Sequence, residues 1–363
     1  MTRAWGGGGR RRPRVASVIA GGRLIVHSRQ GTREIVRALD LRTGAVAWQD
    51  AYDAPYQMNP PPSRTARSGS PTHLLPSRTA ACSRWHQAAL SAYDLASGAR
   101  LWRTPPADPL PLYGTASSPI VDGSRVIAFM GGHDAGALTA FDAASGAVRW
   151  RWTGDGPGYA SPVVARLAGT RQLVTQSQSS LVGLAADTGA LLWRVPLRTN
   201  FDQNSVTPLV VGDLVISAGL ETPTTAYRVT RDGTTWRAVE VWANPRVSLY
   251  MSSPAASDEA VFGLSHRNRG QFFALDPATG RTLWTTRGRE ADNASIVRAG
   301  PWLLLSTTNG ELIVARASAD RFDEVRRYVV TDSAMWAHPA LAGRTIAVKD
   351  TDRVIVWTVE GEG

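Results

Sequence analysis

Residues 140–150 read AFDAASGAVRW, and the chain is built on repetitions of this eleven-residue phrase. Residues 38–48 are ALDLRTGAVAW, 92–102 are AYDLASGARLW and 274–284 are ALDPATGRTLW. Residues 183–193, GLAADTGALLW, keep the glycine and tryptophan but place Ala185 where the others have aspartate. Spacings of roughly 40–55 residues between most copies mark a repeat architecture. Within a copy, the run ending at Asp142 suits a short strand. The Asp-x-x-Ser/Thr-Gly stretch makes a turn: the carboxylate accepts nearby backbone N–H groups and glycine supplies a positive φ. The next strand ends in a tryptophan too large to leave wet in every copy, so Trp48, Trp102, Trp150, Trp193, Trp242 and Trp284 are expected to pack between neighbouring repeats.

Outward from the phrase, the same plan of four short strands recurs. ASSPIVDG, SRVIAFMGG, GALTAFD and GAVRWRW occupy residues 116–152, and comparable sets occupy 15–51, 159–195, 206–243 and 252–286. Residues 294–330 are a degenerate copy with Tyr328 near the expected tryptophan position, and 337–360 supply only three strands. Strand-rich units of this size, closed by an incomplete last unit, predict an all-β chain: one β-propeller of about eight four-stranded blades over residues 15–360.

Two stretches depart from the pattern. Residues 1–14, MTRAWGGGGRRRPR, lack the apolar core of a signal peptide and read as a disordered basic tail. The last blade would need its fourth strand from there, so ring closure is an open question at this level. Residues 60–88 should supply the first two strands of the second blade, yet show no alternation, and the blade reads as damaged. Codons compatible with residues 81–87 (ACSRWHQ), shifted in phase, can encode VFTLAS, a strand-like run, which raises the hypothesis of a local frameshift. A polar insertion is the alternative.

The formal net charge of +10 invites a nucleic-acid function, but its distribution opposes one. Residues 1–33 hold eight arginines and 54–93 hold four, with no acid in either stretch, so these twelve exceed the whole excess. A nucleic-acid surface concentrates basic and aromatic residues on a folded face. No run of 18 apolar residues is present, so no transmembrane segment is expected. The single Cys82 excludes an internal disulfide. His133–Asp134 in GGHDAG reads as turn chemistry, and His266 likewise has no partner at metal-ligand spacing, so no metal site is predicted.

The AxDxxTGxxxW pattern resembles the tryptophan-docking motif of the pyrroloquinoline-quinone (PQQ) β-propeller superfamily, over almost all of residues 15–360. That superfamily contains quinoprotein alcohol and glucose dehydrogenases, a periplasmic lipoprotein scaffold of outer-membrane β-barrel assembly, and repeat proteins without demonstrated chemistry. The resemblance implies a periplasmic or extracellular setting and a non-catalytic scaffold, binding other envelope proteins or a small ligand as a monomer. The enzymatic alternative, a PQQ-dependent oxidoreductase, requires calcium held by carboxylate and amide oxygens and often an adjacent cysteine pair. That pair is absent and no matching ligand set is found, so no cofactor and no catalytic residue are assigned.

Most blades open with a Ser/Thr/His-Pro step, at 118–119, 161–162, 207–208, 253–254 and 338–339, where proline need not donate. In a ring these steps share one mouth of the central channel. The residues around them, Tyr113, Tyr159, Asp202, Asn204, Tyr250, Asn293, Trp336 and His338, form the candidate ligand or partner ring. Their alternative role is to pack the loops.

Overall fold

The computed structural model describes residues 2–8, 17–53, 72–74, 79–83, 89–107, 109–114, 116–350 and 353–359. Among them the strands form eight four-stranded antiparallel sheets, the blades of a β-propeller. Seven blades each use four consecutive strands. Blade 1 comprises Ser17–Ala20, Arg23–Gln30, Arg33–Asp40 and Val46–Asp53. The eighth combines Ala340–Ala342, Thr345–Lys349 and Arg353–Thr358 with Thr2–Gly8 from the other end of the chain. Helix is confined to two 3-10 turns, Asn200–Asp202 and Arg267–Arg269.

First strands of neighbouring blades adjoin. Ser17–Ala20 lies beside both Ala340–Ala342 and Thr72–Leu74, while Ala255–Ala256 lies between Leu209–Val211 and Ala294–Ala299. The ring therefore closes between the last blade and the first. Leu24 and Val26 pack there against Ala347, Val354 and Val356.

Both irregular stretches depart from the sequence expectation. The tail assigned to residues 1–14 contributes a strand: Thr2–Gly8 pairs with Arg353–Thr358, Gly6 opposite Ile355 and Gly8 opposite Arg353, with a bulge between Arg3 and Trp5. Backbone groups make a ladder whatever the side chains, so glycines can serve in it. The second blade is also present. Thr72–Leu74 pairs with Thr79–Ser83, which pairs with Leu90–Asp94, so the 60–88 stretch supplies both strands it was expected to lack. Residues 9–16, 54–71, 75–78 and 84–88 lie outside the described set, and with them the rest of the frameshift question.

The repeated phrase has a geometric basis. Its third- and fourth-strand residues pair across a bulge, and the first residue of the phrase faces the tryptophan: Ala38 with Trp48, Ala92 with Trp102, Ala140 with Trp150, Gly183 with Trp193 and Ala274 with Trp284. Asp142 Oδ1 accepts the N–H groups of Ala144 (3.1 Å) and Ser145 (2.9 Å) and the Ser145 hydroxyl (2.9 Å). Asp40 and Asp94 make the same three bonds. Gly98 and Gly146 follow at φ 75° and 72°.

The tryptophans reach across to the next blade. Trp48 Nε1 donates to the Leu95 carbonyl at 2.9 Å, and its ring lies where a Gly98 Cβ would come within 2.5 Å. Trp102 repeats this with Ala143 and Gly146, and Trp242 with Pro277 and Gly280. Trp284 donates to Ser318. Trp150 rests on Gly189, whose turn is the one with Ala185 in place of aspartate. Trp193 turns to Gln172 Oε1 within its own blade, at 2.7 Å, because the next blade replaces the short turn with a long hairpin of Thr224–Asp232 and Thr235–Asn244. The degenerate seventh blade also differs from expectation. Arg326 sits opposite the bulge residue Val314, and Tyr328 instead packs against Trp357 with ring centroids 5.5 Å apart.

Candidate functional site: the stitched mouth of the channel

The strand-opening steps form a relay from blade to blade. Ser118 N–H donates to Ser161 Oγ (2.9 Å), Ser161 N–H to Thr207 Oγ1 (3.2 Å) and Thr207 N–H to Ser253 Oγ (3.0 Å). A hydroxyl both donates and accepts, so a residue before each proline can serve the preceding blade without losing its own partner. Further round, Ala294 N–H donates to Ser252 Oγ, and Ser295 Oγ donates to the Trp336 carbonyl at 3.4 Å.

The linkers preceding these steps are tied together above the relay. Tyr113 N–H donates to the Tyr159 hydroxyl at 3.2 Å, with the two rings 5.9 Å apart. Tyr159 and Ala160 N–H groups donate to the Asn204 carbonyl. Ser205 Oγ donates to the Tyr250 carbonyl at 2.6 Å, and Tyr250 Oη donates to Gln203 Oε1 at 2.6 Å. Four candidates, Tyr113, Tyr159, Asn204 and Tyr250, thus meet on these tied linkers, and Asp202 joins them through Gln178, which donates to it and accepts from Asn204. Burial, and to a lesser degree the neighbouring Tyr113, pushes the Tyr250 phenol above its ordinary value.

The candidates differ in what they leave free. Asn204 is fully buried and its amide donates to the carbonyls of Ser177 (2.9 Å), Gln178 (3.1 Å) and Leu197 (2.8 Å), while Oδ1 accepts from Thr199. It clamps loops. Tyr159 is buried, whereas Tyr113, Asp202, Tyr250, Asn293 and Trp336 are half-buried. The Asn293 carbonyl accepts the Thr308 N–H (2.9 Å), and the Asn293 N–H donates to the Thr308 hydroxyl (3.2 Å). His338 reaches solvent although protein surrounds it, and the resulting desolvation lowers its pKa.

A polar cluster missed at the sequence level completes this side of the mouth. His133 Nε2 lies 3.3 Å from the Tyr159 hydroxyl, and its ring meets Tyr159 edge-on. Gln178 accepts from Asp134 N–H and donates to Asp134 Oδ1 (2.9 Å) and Asp202 Oδ2 (3.2 Å). Asp155 accepts from Ser177 Oγ, Ser179 Oγ and Ser179 N–H. The glycines of GGHDAG were the available signal: a Cβ on Gly132 would meet the carbonyls of Pro109 and Leu110 at 2.8 Å. They reflect a hairpin tip wedged between two linkers, which turn chemistry alone does not require.

Among the described residues no group of three or more His, Cys, Asp or Glu is placed to hold a metal ion. The mouth carboxylates are engaged with Gln178 and with serines, a donor arrangement that does not fit a calcium-bound quinone.

A ring of four-stranded blades carrying this Ala-x-Asp, Gly and Trp repeat is a PQQ-like β-propeller. The chain belongs to the family described as outer membrane protein assembly factor BamB, whose model matches residues 6–113 and 32–286. Among solved structures, BamB from Moraxella catarrhalis is similar with a TM-score of 0.70 at 18% identity, covering 99% of each chain. The computationally designed Ika8 protein gives 0.67 at 10% identity, covering 97% of this chain and 98% of that one. The quinohemoprotein alcohol dehydrogenase from Comamonas testosteroni gives 0.68 at 15% identity, covering all of this chain and 77% of that one. At these identities the likeness is one of fold. No curated protein sequence matches the chain.

Proposed function

We propose that this protein is a non-catalytic scaffold of the cell envelope, working in the periplasm or outside the cell as a monomer. It binds an envelope protein, or a small ligand, at the stitched mouth of its channel. The observation that carries this reading is membership of the outer membrane assembly factor family together with end-to-end likeness to a BamB structure. Among the described residues no helix is long and apolar enough to cross a membrane. Half-buried Tyr113, Tyr250 and Trp336, with Asp202, supply the contact, since rigid aromatic side chains bring large areas at small entropic cost. Asn204 and Tyr159 hold the loops that present them.

Likeness to an alcohol dehydrogenase is the observation on the side of a quinone-dependent oxidoreductase. The carboxylates at the mouth, held by Gln178 and by serines, do not fit that cofactor.

The test is capture of outer-membrane assembly proteins by the purified chain, compared with Tyr250→Ala and Trp336→Ala. Capture weakened about tenfold or more in both variants, with unchanged thermal unfolding, is the expected result. Equal capture by all three places these side chains in loop packing. Dye-linked alcohol oxidation on adding PQQ and calcium would replace the scaffold reading by the enzymatic one.

A further inference from the structure

We propose that His133 is a proton-sensitive latch on the mouth: neutral, it holds the Tyr113–Tyr159 pair in place, and protonated, it lets that pair go. The inference rests on the mouth being the binding site and adds how that site is regulated.

Bond direction carries the argument. The Tyr113 amide can only donate, so the Tyr159 oxygen accepts at 3.2 Å and its hydrogen is directed elsewhere. His133 Nε2 stands 3.3 Å from that oxygen. A neutral imidazole with its proton on Nδ1 accepts there, and the chain Tyr113 N–H, Tyr159 O–H, His133 Nε2 runs in one direction. In the imidazolium both nitrogens donate, so this bond must reverse or break.

The surroundings decide which. The backbone of the tip is fixed: a Cβ on Gly156 would meet Asp134 N at 2.9 Å and His133 Cα at 3.2 Å, and Gly132 abuts the Pro109 and Leu110 carbonyls. His133 itself is half-buried, so its ring is in part open to solvent. Among the described residues the groups facing it are Asp134 on its own hairpin, Asp155 and Tyr159 on the linker 153–162, Asp202 on the linker 197–208, and Tyr113 through Tyr159. The three carboxylates favour the charged ring, but burial outweighs them and the pKa of His133 lies below its ordinary 6.5. For a histidine lowered on folding, the released form binds more protons between the lowered value and 6.5, so acidification through that window favours release. A cation freed from the cleft regains its hydration, which the cleft denied it.

The experiment is a pH titration of the full chain by NMR, following the His133 ring and the amides of Tyr113 and Ser118. The latch predicts a His133 midpoint below 6.5 and a Tyr113 amide that moves with that midpoint. Ser118, whose N–H donates to Ser161, stays unchanged. His133→Gln retains an acceptor but cannot titrate, so the Tyr113 shift disappears. A Tyr113 amide that stays flat while His133 titrates overturns the latch, as does one that keeps its midpoint in His133→Gln. The wild-type comparison alone decides the matter should the variant fail to fold. No partner is present in these spectra. A coupled titration alongside absent capture at every pH therefore overturns the scaffold reading and leaves the latch standing.

Discussion

The tryptophan and its glycine are one device seen from two blades. Trp48 needs Gly98 twice over, for the left-handed φ of 75° and for the space its ring occupies. Gly98→Ala is expected to cost about 2–3 kcal/mol, from the strained backbone and the displaced indole, read by urea unfolding. The same change at Gly123, whose added Cβ would meet nothing within 4 Å, should cost less, the backbone term alone. Asn204→Ala strips two buried carbonyls and a partly buried one of their donor and should cost about 2–3 kcal/mol. The turn aspartates and glycines were legible in the sequence because their chemistry is local. The requirement for alanine or glycine at the start of the phrase was not, because it depends on which residue faces the tryptophan across the bulge. Asn204 stood among the ligand candidates for a similar reason: its three acceptors come from residues 177, 178 and 197.

Elements show where pattern reading reaches its limit. Strands of three and five residues in blade 2 are too short to show alternation, and a glycine run has no side chains with which to show it. Deleting residues 2–8 is expected to uncover the Arg353–Thr358 edge, lowering the unfolding temperature and raising aggregation, both measurable by scanning calorimetry and light scattering. The turns carry a pH signature of their own. Bonds from Thr43 hold the Asp40 carboxyl below the usual carboxylate range, and Arg149 and Ser145 do the same for Asp142. A carboxylate lowered on folding contributes stability that is complete above its unfolded pKa of about 4 and disappears as pH falls through the folded value. Acid unfolding should therefore begin below about pH 4, and Asp142→Asn should flatten the transition there without altering the His133 titration.

Across the whole molecule, structure and function separate by end. The Asp-Gly turns and the carbonyls beneath the tryptophans join blades at one end, and the Ser/Thr-Pro relay with its tied linkers joins them at the other. The relay was visible in the sequence as a repeated dipeptide, since a proline at a strand start has a local reason. The network above it was hidden, because its members lie in different linkers and touch only when the ring closes. The scaffold account places contact at the mouth and leaves the outer strands, with Val239 at 52% exposed, as ordinary edge. Photo-cross-linking in the native envelope tests this most directly, with a photoreactive residue at position 250 and, separately, at position 239. The account predicts a discrete adduct with an envelope protein from position 250, lost on Trp336→Ala, and none from position 239. An adduct from position 239 with none from position 250 would contradict it.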